Sequence, residues 1–178
     1  MKKMEIKQSI VLRKATMEDA KLLYQWKNDK ATIENSITKR GVTMEEHLKW
    51  LENVIDNPNR KLFILDLDGT SVGQLRLDFE KVIYNEKCSL VKIEDVADEE
   101  KKYELSAEIS YGLGAEYRGK GLGKVLLEQA DTLATIFKIA VLKAEVLPHN
   151  KASQKLFKKL GYIEEQRDDL YIYTKRYV

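Results

Sequence analysis

Six consecutive residues in the second half of the chain combine glycine with positive charge in a way that suits a bulky anion. They are Arg118, Gly119, Lys120, Gly121, Leu122 and Gly123. The three glycines allow backbone amides to approach a ligand without a Cβ atom in the way. A helix that begins near Lys120 leaves about four N–H groups unpaired, and its dipole places partial positive charge there. Together with the two basic side chains, this glycine loop predicts a pyrophosphate site.

The glycine loop alone does not identify the ligand, because a tight turn before a helix has a similar composition. Two familiar nucleotide sites are excluded by spacing. A dinucleotide-binding fold needs G-x-G-x-x-G within an early βαβ unit, and a P-loop needs Gly-Lys followed by Ser or Thr. Neither spacing fits residues 118–123. The elements around the loop must therefore decide which anion is bound.

The elements that position the loop are clear from the sequence pattern. We predict a strand over residues 105–113 before it and a helix over residues 120–137 after it, with apolar residues on one face. An apolar strand follows over residues 140–147. Pro148 ends that strand, and a further helix begins near Asn150 and ends at Gly161, which is a typical C-terminal cap. The loop is thus held between a strand and a helix.

The rest of the chain predicts one mixed sheet with helices packed on it. Strands are expected at residues 10–13, 62–67, 72–79, 162–165 and 170–175, and helices after the capping residues Thr16 and Thr43. Residues 80–103 are charged and poorly periodic, so we expect an excursion between paired strands. The order β-α-α-β-β-β-α-β-α-β-β predicts a single α/β (α+β) domain over residues 1–178.

Composition excludes several classes of function. The 31 basic and 29 acidic residues leave a net charge of +2, which favours neither nucleic acid nor an anionic membrane as a partner. Cys88 is the only cysteine, and the two histidines stand apart, so we expect neither a disulfide nor a metal site. The N-terminus lacks an apolar signal segment and no apolar run could span a bilayer, which predicts a cytoplasmic protein.

The glycine loop and its surroundings resemble the GNAT superfamily of N-acetyltransferases. Residues 118–123 match that family's R/Q-x-x-G-x-G/A motif for the pyrophosphate of coenzyme A. The preceding strand (AEISYGL, 107–113) and the later blocks VLPHNKAS (146–153) and LFKKLGY (156–162) are similar to its other hallmarks. The resemblance implies a mostly antiparallel sheet with a central splay and about four flanking helices. It also implies direct acetyl transfer from acetyl-CoA to a primary amine, without a metal or a covalent intermediate.

The resemblance further assigns residues to the cofactor. Backbone groups of the splayed strand would bond the pantetheine arm and stabilise the oxyanion, the glycine loop would hold the pyrophosphate, and Asn150 would bond the arm, unless it is a plain helix cap. The implied cofactor residues are Tyr111, Leu113, Arg118, Gly119, Lys120, Gly121, Leu122, Gly123, Lys124, Asn150, Ser153 and Phe157.

For the general base that deprotonates the amine and for the acid that protonates the thiolate, the sequence offers several candidates. Glu145 on the 140–147 strand fits a base position used by several relatives, and Glu108 competes with it, although either side chain could instead point to solvent or join an ion pair. Many relatives have a tyrosine seven residues after the asparagine, but here that residue is Phe157, which cannot donate a proton. Water or another hydroxyl must then protonate the thiolate, unless that step does not limit the rate; the candidate hydroxyls are those of Tyr111, Tyr162, Tyr171 and Tyr173.

The acceptor amine is the least determined part. Trp26, Asn28, His47 and Arg76 look similar to residues of acetyltransferases that modify the 4-amino group of nucleotide-linked sugars. Trp26 also fits a helix core position. The alternatives are a protein N-terminus or ribosomal protein, a polyamine or aminoglycoside favoured by the acidic stretch 94–100, and a non-catalytic acetyl-CoA-binding module. Exposed strand edges near the C-terminus allow a homodimer.

Overall fold

A computed structural model describes residues 9–84, 90–92 and 103–177 of the 178-residue chain. The strands are β1 (Ile10–Lys14), β2 (Arg60–Leu67), β3 (Thr70–Tyr84), β4 (Leu90–Lys92), β5 (Glu104–Leu113), β6 (Val141–Val146), β7 (Ile163–Arg167) and β8 (Leu170–Arg176). The α-helices are α1 (Ala20–Lys27), α2 (Lys30–Glu34), α3 (Met44–Asp56), α4 (Leu122–Ile136) and α5 (Lys151–Lys159).

The strands form one sheet in the order β1-β2-β3-β5-β6-β8-β7, and β4 pairs with β3 outside this path. Neighbouring strands are antiparallel except β5 and β6, which are parallel. The parallel pairing joins residues 106–108 to residues 141–143 and then stops. The two strands therefore separate beyond Glu108 and Lys143, and this confirms the expected mixed, mostly antiparallel sheet with a central splay.

One face of the sheet carries the main core. Alternate residues of β3, β5 and β6 point towards α4 and α5, as the two-residue period of a strand requires. Leu77, Ala107 and Leu142 are fully buried there, together with Leu126 of α4 and Phe157 of α5. This core fixes the start of α4 and the start of α5 against the strands that separate.

The opposite face carries a smaller core near one edge. Leu23 of α1 and Leu51 and Val54 of α3 pack on Ile64 of β2. Thr43 caps α3 as its sequence predicted: its hydroxyl accepts from the Glu46 N–H, and the Glu46 carboxylate accepts from the Thr43 N–H. Because α1 and α3 cover only β1, β2 and part of β3, the same face of β5 and β6 is left open next to them.

Two features differ from the sequence prediction. Strand β3 continues to Tyr84 instead of ending at Phe79, because the charged residues Glu80 and Lys81 pair with Ser106 and Leu105 of β5. The rest of the predicted excursion lies largely outside the described residues. A fifth helix, α2, is present after α1, where the sequence showed no apolar period. Across the described residues, no helix is long and apolar enough to cross a membrane.

Candidate functional site

The gap between β5 and β6 exposes backbone groups that a sheet would normally pair. At the paired end, before the gap opens, the Ala140 N–H donates to the Leu105 carbonyl at 2.7 Å, which shows that Leu105 points its backbone groups towards β6. Because backbone direction alternates along a strand, the N–H and C=O groups of Ile109, Tyr111 and Leu113 point to the same side. The pairing has ended by then. An extended ligand inserted here would find strand-like hydrogen-bonding partners.

The glycine loop lies at the open end of the gap. Gly119 and Gly121 have φ values of 73° and 82°, a left-handed conformation that other residues adopt only with strain. Helix α4 begins directly after Gly121, and the Lys124 N–H already donates to the Gly121 carbonyl. Within the described part of the chain, the amides of residues 119–123 have no hydrogen-bond partner. The loop thus presents a cluster of free donors at a positive helix terminus, as the pyrophosphate prediction requires.

Gly123 favours a close approach of α4 to its neighbours. A Cβ atom at this position would lie 3.2 Å from the end of the Leu156 side chain of α5 and 3.7 Å from the Tyr111 ring. A side chain at residue 123 would therefore require Leu156 to shift by a few tenths of an ångström. The glycines serve the loop in two ways: two of them set its turn, and one lets α4 pack closely.

The Arg118 side chain makes defined contacts that the sequence did not predict. Its Nη2 donates to Asp29 Oδ2 at 2.6 Å, to Thr32 Oγ1 at 3.1 Å and to the Leu113 carbonyl at 3.2 Å. The hydrogen bond from this guanidinium holds the pKa of the Asp29 carboxyl below its usual value. The Leu113 carbonyl thus already accepts one hydrogen bond from the glycine loop, and its N–H is available to a ligand in the gap.

The turn after β6 supplies the opposite wall. Asn150 caps α5, and its Oδ1 accepts from the Ser153 N–H at 3.2 Å. Its amide nitrogen makes no hydrogen bond to any described residue, so Asn150 can cap the helix and still donate to a ligand. Ser153 Oγ and the Tyr111 hydroxyl share a hydrogen bond of 2.9 Å. Burial raises the pKa of Tyr111, which keeps the phenol protonated at neutral pH.

Three of the predicted cofactor residues do not line the cleft with their side chains. Phe157 is only 1% exposed and contacts the rings of Tyr111 and Tyr173. Leu122 is also a core residue, and the Lys120 ammonium lies over the Tyr117 ring at 5.7 Å. Leu122 can therefore bind a ligand through its backbone amide, and not through its side chain. Phe157 acts as a packing partner of Tyr111.

The remaining tyrosines differ in their surroundings. The Tyr162 hydroxyl donates to Asp131, and the Tyr173 hydroxyl donates to Glu164. Tyr171 has the Lys151 ammonium 5.9 Å from its ring centre. None of these three lines the cleft, whereas Tyr111 does. Of the four hydroxyls considered from the sequence, that of Tyr111 is the one placed beside the gap.

Both candidate bases lie on the open face of the sheet and share one lysine. Lys143 Nζ is 3.0 Å from Glu145 Oε1 and 3.8 Å from Glu108 Oε2. Burial, followed by repulsion from Glu145, raises the pKa of Glu108, against the attraction of Lys143. Glu108 is at the last paired position, and Glu145 lies two residues past it on the separating strand. Neither carboxylate is among the residues that line the cleft.

A cleft of about 1230 Å³ joins these parts. Its cofactor half is formed by the glycine loop, α4, α5 and the open end of β5. Its acceptor half is formed by residues from α1 to β3, including Trp26, His47, Trp50 and Arg76. Three of the four predicted acceptor residues therefore meet in one wall. Asn28 does not, because its amide bonds the backbone of Val42 and Tyr24 instead.

The aromatic wall of the acceptor half is built around His47. Its ring stacks on Trp50 with the centres 5.5 Å apart, and its Nε2 donates to the Ala20 carbonyl at 2.9 Å. Burial lowers the pKa of His47, so the imidazole is neutral at neutral pH. Trp26 is 7% exposed and belongs mainly to the core. Trp50 is therefore the tryptophan with more surface available to a ligand.

Positive charge dominates the acceptor half. Arg76 pairs with Asp78 and Arg40 pairs with Glu46. Lys27 lies between these groups, half-buried and without an ion-pair partner in the described ranges. Burial, followed by repulsion from Arg76 and Arg40, lowers the pKa of Lys27. From the sequence, Arg76 and Arg40 are candidates for contact with a diphosphate, but the position of Lys27 near them was not predicted, because the three cations lie on separate parts of the chain. No group of three His, Cys, Asp or Glu side chains that could hold a metal ion occurs among the described residues.

This fold and site define an acyltransferase: free amides suit the pyrophosphate of a coenzyme, an opened sheet suits its extended arm, and a pocket lies beyond for the acceptor. A sequence profile of the family described as acetyltransferase (GNAT) domain matches residues 9–163. The chain belongs to this family, and it is an N-acetyltransferase that uses acetyl-CoA.

Known proteins resemble this chain in sequence over all or part of its length, or in fold. Acetyltransferase PseH of Campylobacter jejuni is 25% identical over 162 residues, which cover 89% of this chain and 87% of that protein. The putative phosphinothricin acetyltransferase YwnH of Bacillus subtilis is 42% identical, but over 35% of this chain and 38% of its own length. Spermidine N-acetyltransferase from Vibrio cholerae superposes with a TM-score of 0.73 at 16% identity, over 94% of this chain and 95% of that one. At that identity the similarity shows the fold alone.

A substitution in the glycine loop tests the pyrophosphate site. Gly121→Glu puts bulk and negative charge among the free amides, so we expect the Kd for CoA to rise at least about tenfold. Gly161→Glu is a matched control, because Gly161 has nearly the same φ of 81° and open space around it but lies at the far end of α5. Calorimetry should show weakened CoA binding in the first variant only; equal affinity in both would contradict the site.

Proposed function

We propose that this enzyme transfers an acetyl group to the amine of an anionic acceptor, and that the acceptor is a nucleotide-linked amino sugar. The observation that carries this proposal is the positive charge around Lys27 in the acceptor half. A half-buried ammonium with two guanidinium groups nearby and no carboxylate of its own is unfavourable until an anion binds. A diphosphate supplies that anion, and Arg76 offers donors suited to it.

The charge balance also separates the alternatives. The acceptor half is lined by four cationic side chains, those of Lys27, Arg40, Lys49 and Arg76. Arg40, Lys49 and Arg76 are each paired with a carboxylate, whereas Lys27 has no such partner in the described ranges, and Glu46, the carboxylate among the lining residues, is the partner of Arg40. A polyamine or aminoglycoside carries several positive charges and would be repelled here. The acidic stretch 94–100, which favoured such substrates in the sequence, lies outside the described residues. The cleft thus favours an acidic acceptor.

Two further observations agree with a nucleotide-linked sugar. Trp50 offers an aromatic surface next to Arg76, whose guanidinium carbon is 5.9 Å from the indole centre. An aromatic side chain beside a cation suits a base or sugar ring that is joined to a phosphate. The similarity to acetyltransferase PseH extends over 89% of the chain and so includes the acceptor half, in line with the resemblance to sugar-nucleotide acetyltransferases.

An acceptor panel tests this proposal. We expect CoA release with UDP-4-amino-sugars and little release with spermidine or N-terminal peptides. In Lys27→Ala the KM for the sugar nucleotide should rise about tenfold or more, because a charged hydrogen bond contributes roughly 1.5–3 kcal/mol. Lys21→Ala, an exposed position on the same helix, is the control. Turnover of spermidine in preference to the sugar nucleotide would refute the proposal, and firm acetyl-CoA binding with no turnover of any amine would favour a non-catalytic module.

We infer that Glu145 removes the proton from the amine. It lies past the last residue paired between β5 and β6, on the open face of the sheet, so a single water can connect it to the gap. Lys143 holds the carboxylate in place at 3.0 Å. Glu108 lies at the narrow end of the gap within the paired ladder, which makes it the less suitable base.

The two carboxylates can be distinguished by matched amide variants. Glu145→Gln keeps the shape of the side chain but cannot accept a proton, so kcat/KM should fall roughly 100-fold. Glu108→Gln, on the other side of Lys143, should retain most of the native kcat/KM. Full turnover across pH in Glu145→Gln would remove Glu145 as the base.

The thiolate leaving group needs a proton, and we infer that the Tyr111 hydroxyl provides it. The phenol is buried beside the gap, is kept protonated by its raised pKa, and is oriented by Ser153. Acetyl-CoA supplies the acetyl group as a thioester; Tyr111 and Ser153 supply the proton and hold its donor in position.

Removal of that hydroxyl tests the assignment. Tyr111→Phe keeps the ring against Phe157, so we expect kcat to fall about 10- to 100-fold while the Kd for CoA changes little. Tyr162→Phe, whose hydroxyl bonds Asp131 away from the cleft, serves as the control. Stopped-flow measurement of acetyl transfer isolates the chemical step. A kcat within twofold of the native value in Tyr111→Phe would show that water is the proton donor.

A further inference from the structure

The guanidinium of Arg118 is used on one side only. All three of its hydrogen bonds, to Asp29, Thr32 and the Leu113 carbonyl, are made by Nη2. Its Nε and Nη1 atoms, which carry three N–H groups, have no partner within residues 9–84, 90–92 and 103–177. Arg118 is also the first residue of the glycine loop, next to the free amides. A planar guanidinium can therefore bond two different anions through two different edges.

The anion that occupies the inner edge belongs to the acceptor half. Asp29 is the N-cap of α2, and its Oδ2 accepts from the Thr32 N–H at 3.0 Å as well as from Arg118. Helix α2 lines the cleft with Ala31 and Thr32, followed by Asn35 and Ser36 after its last turn. At its other end the Glu34 carbonyl accepts from His149 Nε2 at 2.9 Å. This short helix thus lines the cleft and is held at each end by one side chain from the second half of the chain, Arg118 or His149.

We propose that Asp29 is a positioning residue that couples the two substrates: through Arg118 it ties α2 to the glycine loop, so that coenzyme binding orders the acceptor half. The inference rests on the proposed function for the identity of the acceptor, but not for the coupling itself. Asp29 contacts neither reacting group in this scheme. It acts on the reaction through Arg118 and through the helix that it caps.

The physical basis of the coupling is that one rigid group, the guanidinium of Arg118, contacts both Asp29 and the pyrophosphate site. Pyrophosphate bound to the free amides lies next to the free edge of Arg118 and restrains the guanidinium. The ion pair at 2.6 Å then transmits the restraint to α2, because Asp29 fixes its first turn. A five-residue helix has little stability of its own, so its order depends on such tertiary contacts. By linkage, the acceptor must raise the affinity for coenzyme by the same factor.

Hydrogen exchange with CoA alone tests the coupling independently of the acceptor. In the native protein CoA should slow amide exchange in two segments, residues 119–124 and residues 29–36. In Asp29→Asn the protection of the first segment should be kept and that of the second should be clearly weaker. Asparagine is as good a helix cap as aspartate, so α2 keeps its cap, while the hydrogen bond from Arg118 loses its charge and most of its strength. His149→Ala, which removes the contact at the other end of α2, should retain CoA-dependent protection of residues 29–32.

Each exchange result has a distinct meaning. Protection of residues 119–124 without residues 29–36 in the native protein would overturn the coupling and leave the coenzyme site intact. Faster exchange of residues 29–36 on adding CoA would also overturn it, because it would mean that pyrophosphate draws Arg118 away from Asp29. Absence of protection in both segments would overturn the coenzyme site and the coupling together.

Kinetics provide a second readout that simple loss of stability would not reproduce. With a UDP-4-amino-sugar as acceptor, Asp29→Asn should raise the KM for the acceptor at least about fivefold, the lower end of typical coupling between sites. The Kd for CoA measured without acceptor should stay within twofold of native. A rise in both constants together would indicate a structural role and contradict the proposal. Because the exchange measurements need only CoA, a failed acceptor assignment would not be confused with failed coupling.

Discussion

The structure depends on the early end of pairing between β5 and β6. Three residue pairs join these parallel strands, and beyond Glu108 and Lys143 the strands diverge. Unpaired backbone groups in a protein interior are costly, so a sheet keeps such a gap only where something else holds its walls apart. Here the buried Leu126 and Phe157 of α4 and α5 brace one face, while the other face is left open. The glycine loop and Asn150 then stand at the mouth of the same gap.

The division of charge along the cleft follows from this opening. At the cofactor half, backbone amides and a helix terminus provide positive potential without any side chain having to be desolvated. At the acceptor half, the potential comes from side chains, and the neutral His47 adds none of it. Arg40 and Arg76 each have a carboxylate partner, whereas Lys27 has none in the described ranges. The acceptor half thus adds a second region of positive charge to that of the glycine loop.

Local sequence rules predicted the parts of the site that depend on backbone conformation. The glycine loop and the cap at Asn150 are short-range features, since each is decided by residues within one helical turn. The Arg118–Asp29 pair joins residues 89 positions apart, and α2 lacks an apolar period. Likewise, the contact between Tyr111 and Ser153 spans 42 positions. These pairs are set by how β5, α2 and α5 meet in space, which no local pattern encodes.

In the proposed mechanism, Phe157 leaves the role of proton donor to a residue on another element. A tyrosine on α5 would carry its hydroxyl on the helix, but Phe157 is packed between Tyr111 and Tyr173 in the core. The hydroxyl beside the gap comes instead from Tyr111 on β5, and α5 contributes Ser153 as its hydrogen-bond partner. Compared with relatives that have a tyrosine on this helix, the ring with the hydroxyl is therefore on the strand and the apolar ring is on the helix. The centres of these two rings are 5.9 Å apart. Under the proposed mechanism, what must be retained is a protonated phenol at the gap, and the element that supplies it is free to change.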